Sequence, residues 1–187
     1  RIYDYNGSAW VQVGADIDGE AENNYSGSSV SLSSDGSRVA IGAVNNDGAS
    51  GNGNDNRGHV RIYDYNGSAW VQVGADIDGE AESDQSGHSV SLSSDGSRVA
   101  IGARYNDGGG TDSGHVRVYD YNGSAWVQVG ADINGEAASD QSGESVSLSS
   151  DGSSVAIGAM NNDGNGSDSG HVRVYDYNGS AWVQVGG

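Results

Sequence analysis

Apolar side chains in this chain fall at every second position within short runs, and nowhere at the three-to-four spacing of a helix face. The clearest example is Val60-Arg61-Ile62-Tyr63-Asp64-Tyr65, then Asn66-Gly67, then Ser68-Ala69-Trp70-Val71-Gln72-Val73. Two alternating runs around Asn-Gly predict a β-hairpin, because that dipeptide readily accepts the two positive φ angles of a type I′ turn. A two-residue turn would set Tyr65 opposite Ser68, Tyr63 opposite Trp70, Ile62 opposite Val71 and Val60 opposite Val73. One face then carries Val60, Ile62, Val71 and Val73, and the other Arg61, Tyr63, Trp70 and Gln72. The stretch begins at Arg1, Arg61, Arg117 and Arg173, with Val118 and Val174 replacing the isoleucine in the last two copies, so the chain is a repeat array. Spacings of 60, 56 and 56 residues fall near the length of a propeller blade.

A second hairpin lies between the copies: Ser89 to Ser94, a turn at Asp95-Gly96, then Ser97 to Ala103. Counting out from the turn pairs Leu92 with Val99 and Val90 with Ile101, and leaves Ser91, Ser93, Ala100 and Gly102 on the opposite face. Joined, the hairpins predict a four-stranded unit with small residues on one side of its first two strands and Tyr and Trp on the same side of its last two. Such a wedge suits sheets that converge at an axis and diverge at a rim. The fold expected is all-β, with four-stranded antiparallel blades of β-propeller type, three full blades and an N-terminal half-blade. The divisions are 1–14 (outer hairpin of an incomplete blade), 15–74, 75–130 and 131–187 (each a blade with its connector). Tyr63, Trp70, Tyr119, Trp126, Tyr175 and Trp182 are its structural aromatics. The variable loops are 45–58, 105–114 and 161–170, and the extra length of the first repeat sits in its loop. Three and a half blades do not close a ring of roughly four to eight. The expected partners are therefore flanking repeats of the same chain or other copies of it, met through open sheet edges.

From Ser86-Gly87 through Ser89-Val90-Ser91-Leu92, Val99-Ala100-Ile101-Gly102-Ala103, Asn106-Asp107-Gly108 and Gly114-His115-Val116 to Trp126, the chain resembles the FG-GAP repeats of integrin α-type β-propellers. The resemblance covers nearly the whole chain and implies an extracellular or cell-surface setting and calcium-dependent ligand binding. There are departures. Phe-Gly is replaced by Ser26-Gly27, Ser86-Gly87 and Ser142-Gly143. Where calcium-binding members have a long Asp-rich loop, these turns are a bare Asp35-Gly36, Asp95-Gly96 and Asp151-Gly152, which removes the family's usual calcium cage.

Composition narrows the function classes. Net charge is −18, from 26 acidic side chains against eight arginines and no lysine, so nucleic acid is repelled. With no cysteine there is no disulfide, thiol catalysis or thiolate metal site. No apolar run reaches the roughly 20 residues of a membrane span, so no membrane insertion is expected. No signal peptide precedes Arg1, and the segment opens inside a strand, so targeting information is expected to lie outside it.

Carboxylates offer the main candidate chemistry. Asp76, Asp78 and Glu80 in the acidic connector supply the oxygen ligands calcium prefers, although Ile77 interrupts them and Asn134 replaces one in the third copy. The bland alternative is a solvated connector. Asp163, Asn165, Ser167 and Asp168 resemble a short calcium loop whose counterparts differ in length. Asn6, Asn66, Asn122 and Asn178 each open Asn-Gly-Ser, a glycan acceptor if the source is a secreting eukaryote, though a turn explains the same residues; Asn24 and Asn165 also begin such triplets. His59, His115 and His171 recur one blade apart, could meet only near an axis, and are read as strand residues; His88 has no evident partner. No nucleophile elbow or phosphate-binding loop is present, and near-identical repeats suit repetitive contacts better than a single active site. The expected function is a non-catalytic extracellular repeat module for adhesion, surface coating or filament scaffolding, with protein or glycan surfaces as ligands. The alternatives are a calcium-dependent ligand-binding propeller and the propeller part of a larger secreted enzyme.

Overall fold

Alternation does produce strands throughout, and the described residues contain no α-helix. The computed structural model describes residues 1–48 and 53–186; residues 49–52 of the first variable loop, and Gly187, lie outside them. A two-stranded ribbon of β1 (Tyr3–Tyr5) and β2 (Trp10–Gln12) precedes three antiparallel sheets. The first sheet is β3 (Ser26–Leu32), β4 (Arg38–Ala43), β5 (His59–Tyr65) and β6 (Trp70–Gln72), with the short β7 (Ile77–Asp78) also pairing with β5. The second is β8 (Ser89–Leu92), β9 (Arg98–Ala103), β10 (His115–Tyr121) and β11 (Trp126–Gln128), with β12 (Ile133–Asn134) pairing with β10. The third is β13 (Ser142–Leu148), β14 (Ser154–Ala159), β15 (His171–Tyr177) and β16 (Trp182–Val185). The connectors that start at Ala75 and Ala131, grouped by sequence with the blade that follows, thus begin on the sheet before it.

The inner hairpin has the expected register, with Leu92 opposite Val99 and Val90 opposite Ile101. The outer hairpin is shifted by two residues: Tyr65 faces Trp70 and Tyr63 faces Gln72. The cause is the Asn66 side chain, whose Oδ1 accepts the amides of Ser68 and Ala69 at 3.0 and 2.9 Å. This closes a four-residue loop in which only Gly67 has positive φ, so the two-residue type I′ turn does not form. The cross-strand aromatic pair is therefore Tyr65 with Trp70, centroids 5.3 Å apart, and not Tyr63 with Trp70. Because the shift is even, the division of the hairpin into two faces is unchanged.

The arrangement of those faces within a blade differs from expectation. Ser91 lies opposite Ala100 and Ala100 opposite Val118, while Leu92 lies opposite Val99 and Val99 opposite Tyr119. Small residues and aromatics therefore occupy opposite faces, not the same one. The wedge arises between blades instead. Ala40, Val60 and Ile62 of the first sheet pack on Val90, Leu92, Val99, Ile101 and Tyr119 of the second, and Ala100, Val116 and Val118 of the second pack on Val155, Ile157 and Tyr175 of the third. Toward β3, β8 and β13 a small residue meets an aliphatic one; toward the outer hairpins an aliphatic one meets an aromatic. Each gap thus widens outward.

At the narrow side the backbones nearly touch. A Cβ on Gly102 would stand 2.1 Å from the Gly143 carbonyl oxygen of the next blade, as one on Gly42 would from Gly87. Serines staple the same seam: Ser89 Oγ donates to Gly143 O at 2.7 Å, and Leu148 N donates to Ser91 Oγ at 2.9 Å. At the wide side the indoles of Trp70, Trp126 and Trp182 donate to the carbonyls of Val13, Val73 and Val129 of the preceding blade at 2.8–2.9 Å. Arg38 binds Asp64 of its own blade through two nitrogens, donates to Gly96 O of the next at 3.0 Å, and lies over Tyr121 and Trp126. Arg98 repeats these contacts one blade on.

Two outcomes follow. Gly102→Ala is expected to cost about 2–3 kcal/mol in urea unfolding, since the obstacle is backbone. Gly158→Ala, where only the Ser145 hydroxyl is in the way, should cost under about 1 kcal/mol. The turn carboxylates titrate low: Asp35 falls to about 2 through the Ser37 amide and the Ser33 hydroxyl, and Asp151 to about 2 through the Ser149 hydroxyl and the Ser153 amide. Because folding lowers these values, their stabilisation is complete above about pH 4 and is lost as pH falls through about 2. Tm measured from pH 4 to 2 should fall, less steeply in Asp151→Asn.

Candidate functional site

The residues with unsatisfied chemistry cluster where each outer hairpin begins. Gly58 and Gly114, at φ +75° and +72°, bring the chain against the backbone of Ser86 and Ser142 and start β5 and β10 at His59 and His115. The connector that follows returns to the same strand. Ile77 is buried and pairs opposite Val60, which sets Asp78 opposite His59. Asp76 is then held from behind by Gln72, whose Nε2 donates to Oδ1 at 2.6 Å, leaving Oδ2 turned to His59.

Each buried histidine is faced by two carboxylates. His59 Nδ1 lies 3.9 Å from Glu20 Oε2 and 3.7 Å from Asp76 Oδ2. His115 Nδ1 lies 3.8 Å from Glu80 Oε2 and 3.9 Å from Asp132 Oδ2, and Gln128 steadies Asp132 as Gln72 does Asp76. The His115 side chain is 1% exposed, and neither of its ring nitrogens has a hydrogen-bond partner; the same holds for His59 Nδ1. Burial lowers the pKa of His59, and that of His115 to about 4, so both imidazoles are neutral at pH 7. His171 keeps a single acidic neighbour, Glu136 at 3.7 Å, and is partly exposed.

An arginine two residues on fixes the connector. Arg117 Nη2 donates to the Asp78 carbonyl at 2.8 Å, Nη1 lies 3.6 Å from Glu80 Oε1, and the guanidinium covers Tyr119. Arg61 and Arg173 do the same with Asp18 and Glu20, and with Asn134 and Glu136. Each of these arginines thus covers an aromatic ring and pairs with a carboxylate at once. Under its arginine, buried Tyr119 has its phenol pushed up to about 12 by burial.

The acidic connector is thereby divided. Asp76 serves His59 and Glu80 serves His115, while burial raises the Asp78 carboxyl, whose backbone lies in β7. Asp76, Asp78 and Glu80 do not form one cage. Sequence reasoning passed over the histidines because it asked whether they meet one another. The signal was a recurrent spacing: an acid 39 or 35 residues before the histidine and another 17 after it, in Glu20/His59/Asp76 and Glu80/His115/Asp132. These two groups, with donor atoms all within 4.8 Å, are the convergent sets among the described residues. His88, without an evident partner in the sequence, meets Glu144 at 3.2 Å, which Arg104 also contacts.

Elsewhere the candidate ligands are engaged. Asp163 Oδ1 accepts the Asp168 amide at 2.8 Å, Asn165 N donates to Ser169 Oγ, and Ser167 Oγ donates to Asp168, so the loop is closed by its own bonds. In the inner turns Asp95 Oδ1 accepts from Ser93 Oγ, Ser97 N and Ser97 Oγ. These residues do not fit the calcium cage that the family resemblance would place there. Asn6, Asn122 and Asn178 cap exposed loop tips as Asn66 does. Asn24 is buried.

Residues 75–119 and 134–175 match the model of the FG-GAP repeat, spanning two connectors, two inner hairpins and the third strand that follows each. The chain contains FG-GAP repeats. The blade at 15–74 repeats the FG-GAP geometry outside the matched segments. Similar solved structures include a Bacteroides uniformis protein named "putative 6-phosphogluconolactonase" (TM-score 0.56, 12% identity, 84% of this chain and 39% of that one). Another is the hydrazine synthase of Kuenenia stuttgartiensis (TM-score 0.51, 13% identity, 94% of this chain and 38% of that one). The chain spans about two fifths of the length of either, and the likeness is one of fold. No curated protein matches the sequence. No helix among the described residues is long and apolar enough to cross a membrane.

Arg117→Ala should expose the Glu80 connector and unroof Tyr119. We expect a loss of roughly 2–4 kcal/mol in urea unfolding, against no measurable change for Arg1→Ala at the exposed end.

Proposed function

We propose that this FG-GAP array is a non-catalytic repeat module of extracellular or cell-surface proteins, serving adhesion, coating or scaffolding through many equivalent weak contacts. The observation that carries this reading is the equivalence of its exposed parts. The four Asn-Gly-Ser-Ala tips, at Asn6, Asn66, Asn122 and Asn178, have the same internal hydrogen bonds and similar exposure, so a ligand that fits one fits all. Equivalent sites on a rigid array raise avidity without strengthening any single contact. Tyr5–Trp10, Tyr65–Trp70, Tyr121–Trp126 and Tyr177–Trp182 lie directly beneath these tips, an aromatic platform of the kind that suits protein or glycan surfaces.

Scaffolding is supported by the ends. At one end Val30 and Leu32 are exposed beside the two-stranded ribbon, in a groove also lined by Ile2, Trp10, Ile17 and Ile41. At the other, Val172, Val174 and Val185 are exposed on the last blade. Each is a face that buried neighbours cover elsewhere in the array, which suits further repeats, in the same chain or in a second copy.

Light scattering across a concentration series tests the scaffolding role. Reversible growth in mass is expected, suppressed by Val172→Asp or Val30→Asp; a constant monomer mass would overturn it. For adhesion, binding to an immobilised glycan and protein panel should weaken stepwise as Trp126 and then Trp182 are replaced by Tyr. Abolition by one replacement alone would point to a single specific site.

A further inference from the structure

We propose that Glu80, His115 and Asp132, and equally Glu20, His59 and Asp76, are two copies of a binding site for a divalent transition-type cation, which rivets successive blades through their connectors. In each, the chain brings one imidazole nitrogen and two carboxylate oxygens within 4.8 Å of one another. The pointer to a ligand is the imidazole. His115 is sealed from solvent, has no hydrogen-bond partner on either nitrogen, and directs Nδ1 at both acids from 3.8 and 3.9 Å. That is too far for a hydrogen bond. It is close to the spacing of ligands around a shared ion: with bonds of about 2.0–2.1 Å, donors at a tetrahedral zinc lie about 3.3 Å apart. Glu80 and Asp132 stand on connectors and are partly exposed, so the acids can close on an ion while His115 stays fixed.

The donors also select the ion. An imidazole with two carboxylates suits Zn²⁺, Co²⁺ or Ni²⁺, with water completing the shell, and is poor for Ca²⁺, which takes six to eight oxygens. Gln72 and Gln128 hold Asp76 and Asp132 from behind in the manner of outer-shell partners that orient ligands. Arg61 and Arg117 neutralise one carboxylate of each pair, and each binds the oxygen of Glu20 or Glu80 that faces away from the histidine. A bound cation would therefore join the connector before a blade, its third strand and the connector after it. His171, with Glu136 alone, is an internal comparison lacking the second acid.

Titration calorimetry of the whole chain with zinc chloride tests this. Two binding events per chain are expected, falling to one in the E80Q/D132N variant and to one in E20Q/D76N, while E136Q keeps both. No binding, or an unchanged count in both double variants, would overturn the site. Imidazole ¹⁵N shifts of the unaltered protein give a readout that needs no variant. His59 and His115 should move on adding zinc and His171 should not; movement confined to His88 or His171 would equally overturn it.

Discussion

The structure depends on how closely one sheet can lie on the next at its inner strands. Gly42 and Gly102 leave no room for a side chain between their own backbone and the carbonyls of Gly87 and Gly143, and that contact sets the separation of the blades. Given this narrow seam, the rest of each interface must thicken outward. It does so by exchange of partners: Ser and Ala against Val, Leu and Ile near the inner strands, then Val and Ile against Tyr and Trp toward the rim. The serines also have a second role, because Ser31 and Ser91 accept amides from the neighbouring blade and Ser29 and Ser89 donate to its carbonyls. A seam of alanines would be as thin, but would leave those buried backbone groups without partners.

Charge is arranged around this apolar stack. The array is strongly acidic, yet all eight of its arginines carry an ion pair, and Arg38 and Arg98 reach across to the next blade. The basic side chains act within the structure as braces for carboxylates and covers for aromatic rings. What is left facing solvent is overwhelmingly anionic.

Much of this was legible in the sequence. Period-two alternation and Asp95-Gly96 gave the inner hairpin its correct pairing, and the fourfold copy gave the blades. The outer hairpin was misread by two residues because Asn-Gly has two uses: its backbone can take a type I′ turn, or the asparagine oxygen can cap Ser68 and Ala69, and the sequence does not say which bond forms. Which faces of the two hairpins coincide was also hidden. That depends on the pairing of β9 with β10 across a loop of variable length, and no local pattern encodes it. The histidine clusters escaped for a related reason, since His115 draws Glu80 and Asp132 from connectors on either side of its own blade.

Trp70, Trp126 and Trp182 each give the indole proton to a carbonyl of the blade before and to none after. The array is therefore polar, with chemically unlike ends. A twofold axis relating two such arrays would press valine on valine, or aromatic on aromatic, and reproduce none of the internal contacts. Only a heterologous, head-to-tail contact reuses them, and whether such a succession closes on itself or continues as a fibre is decided by the rotation between consecutive blades.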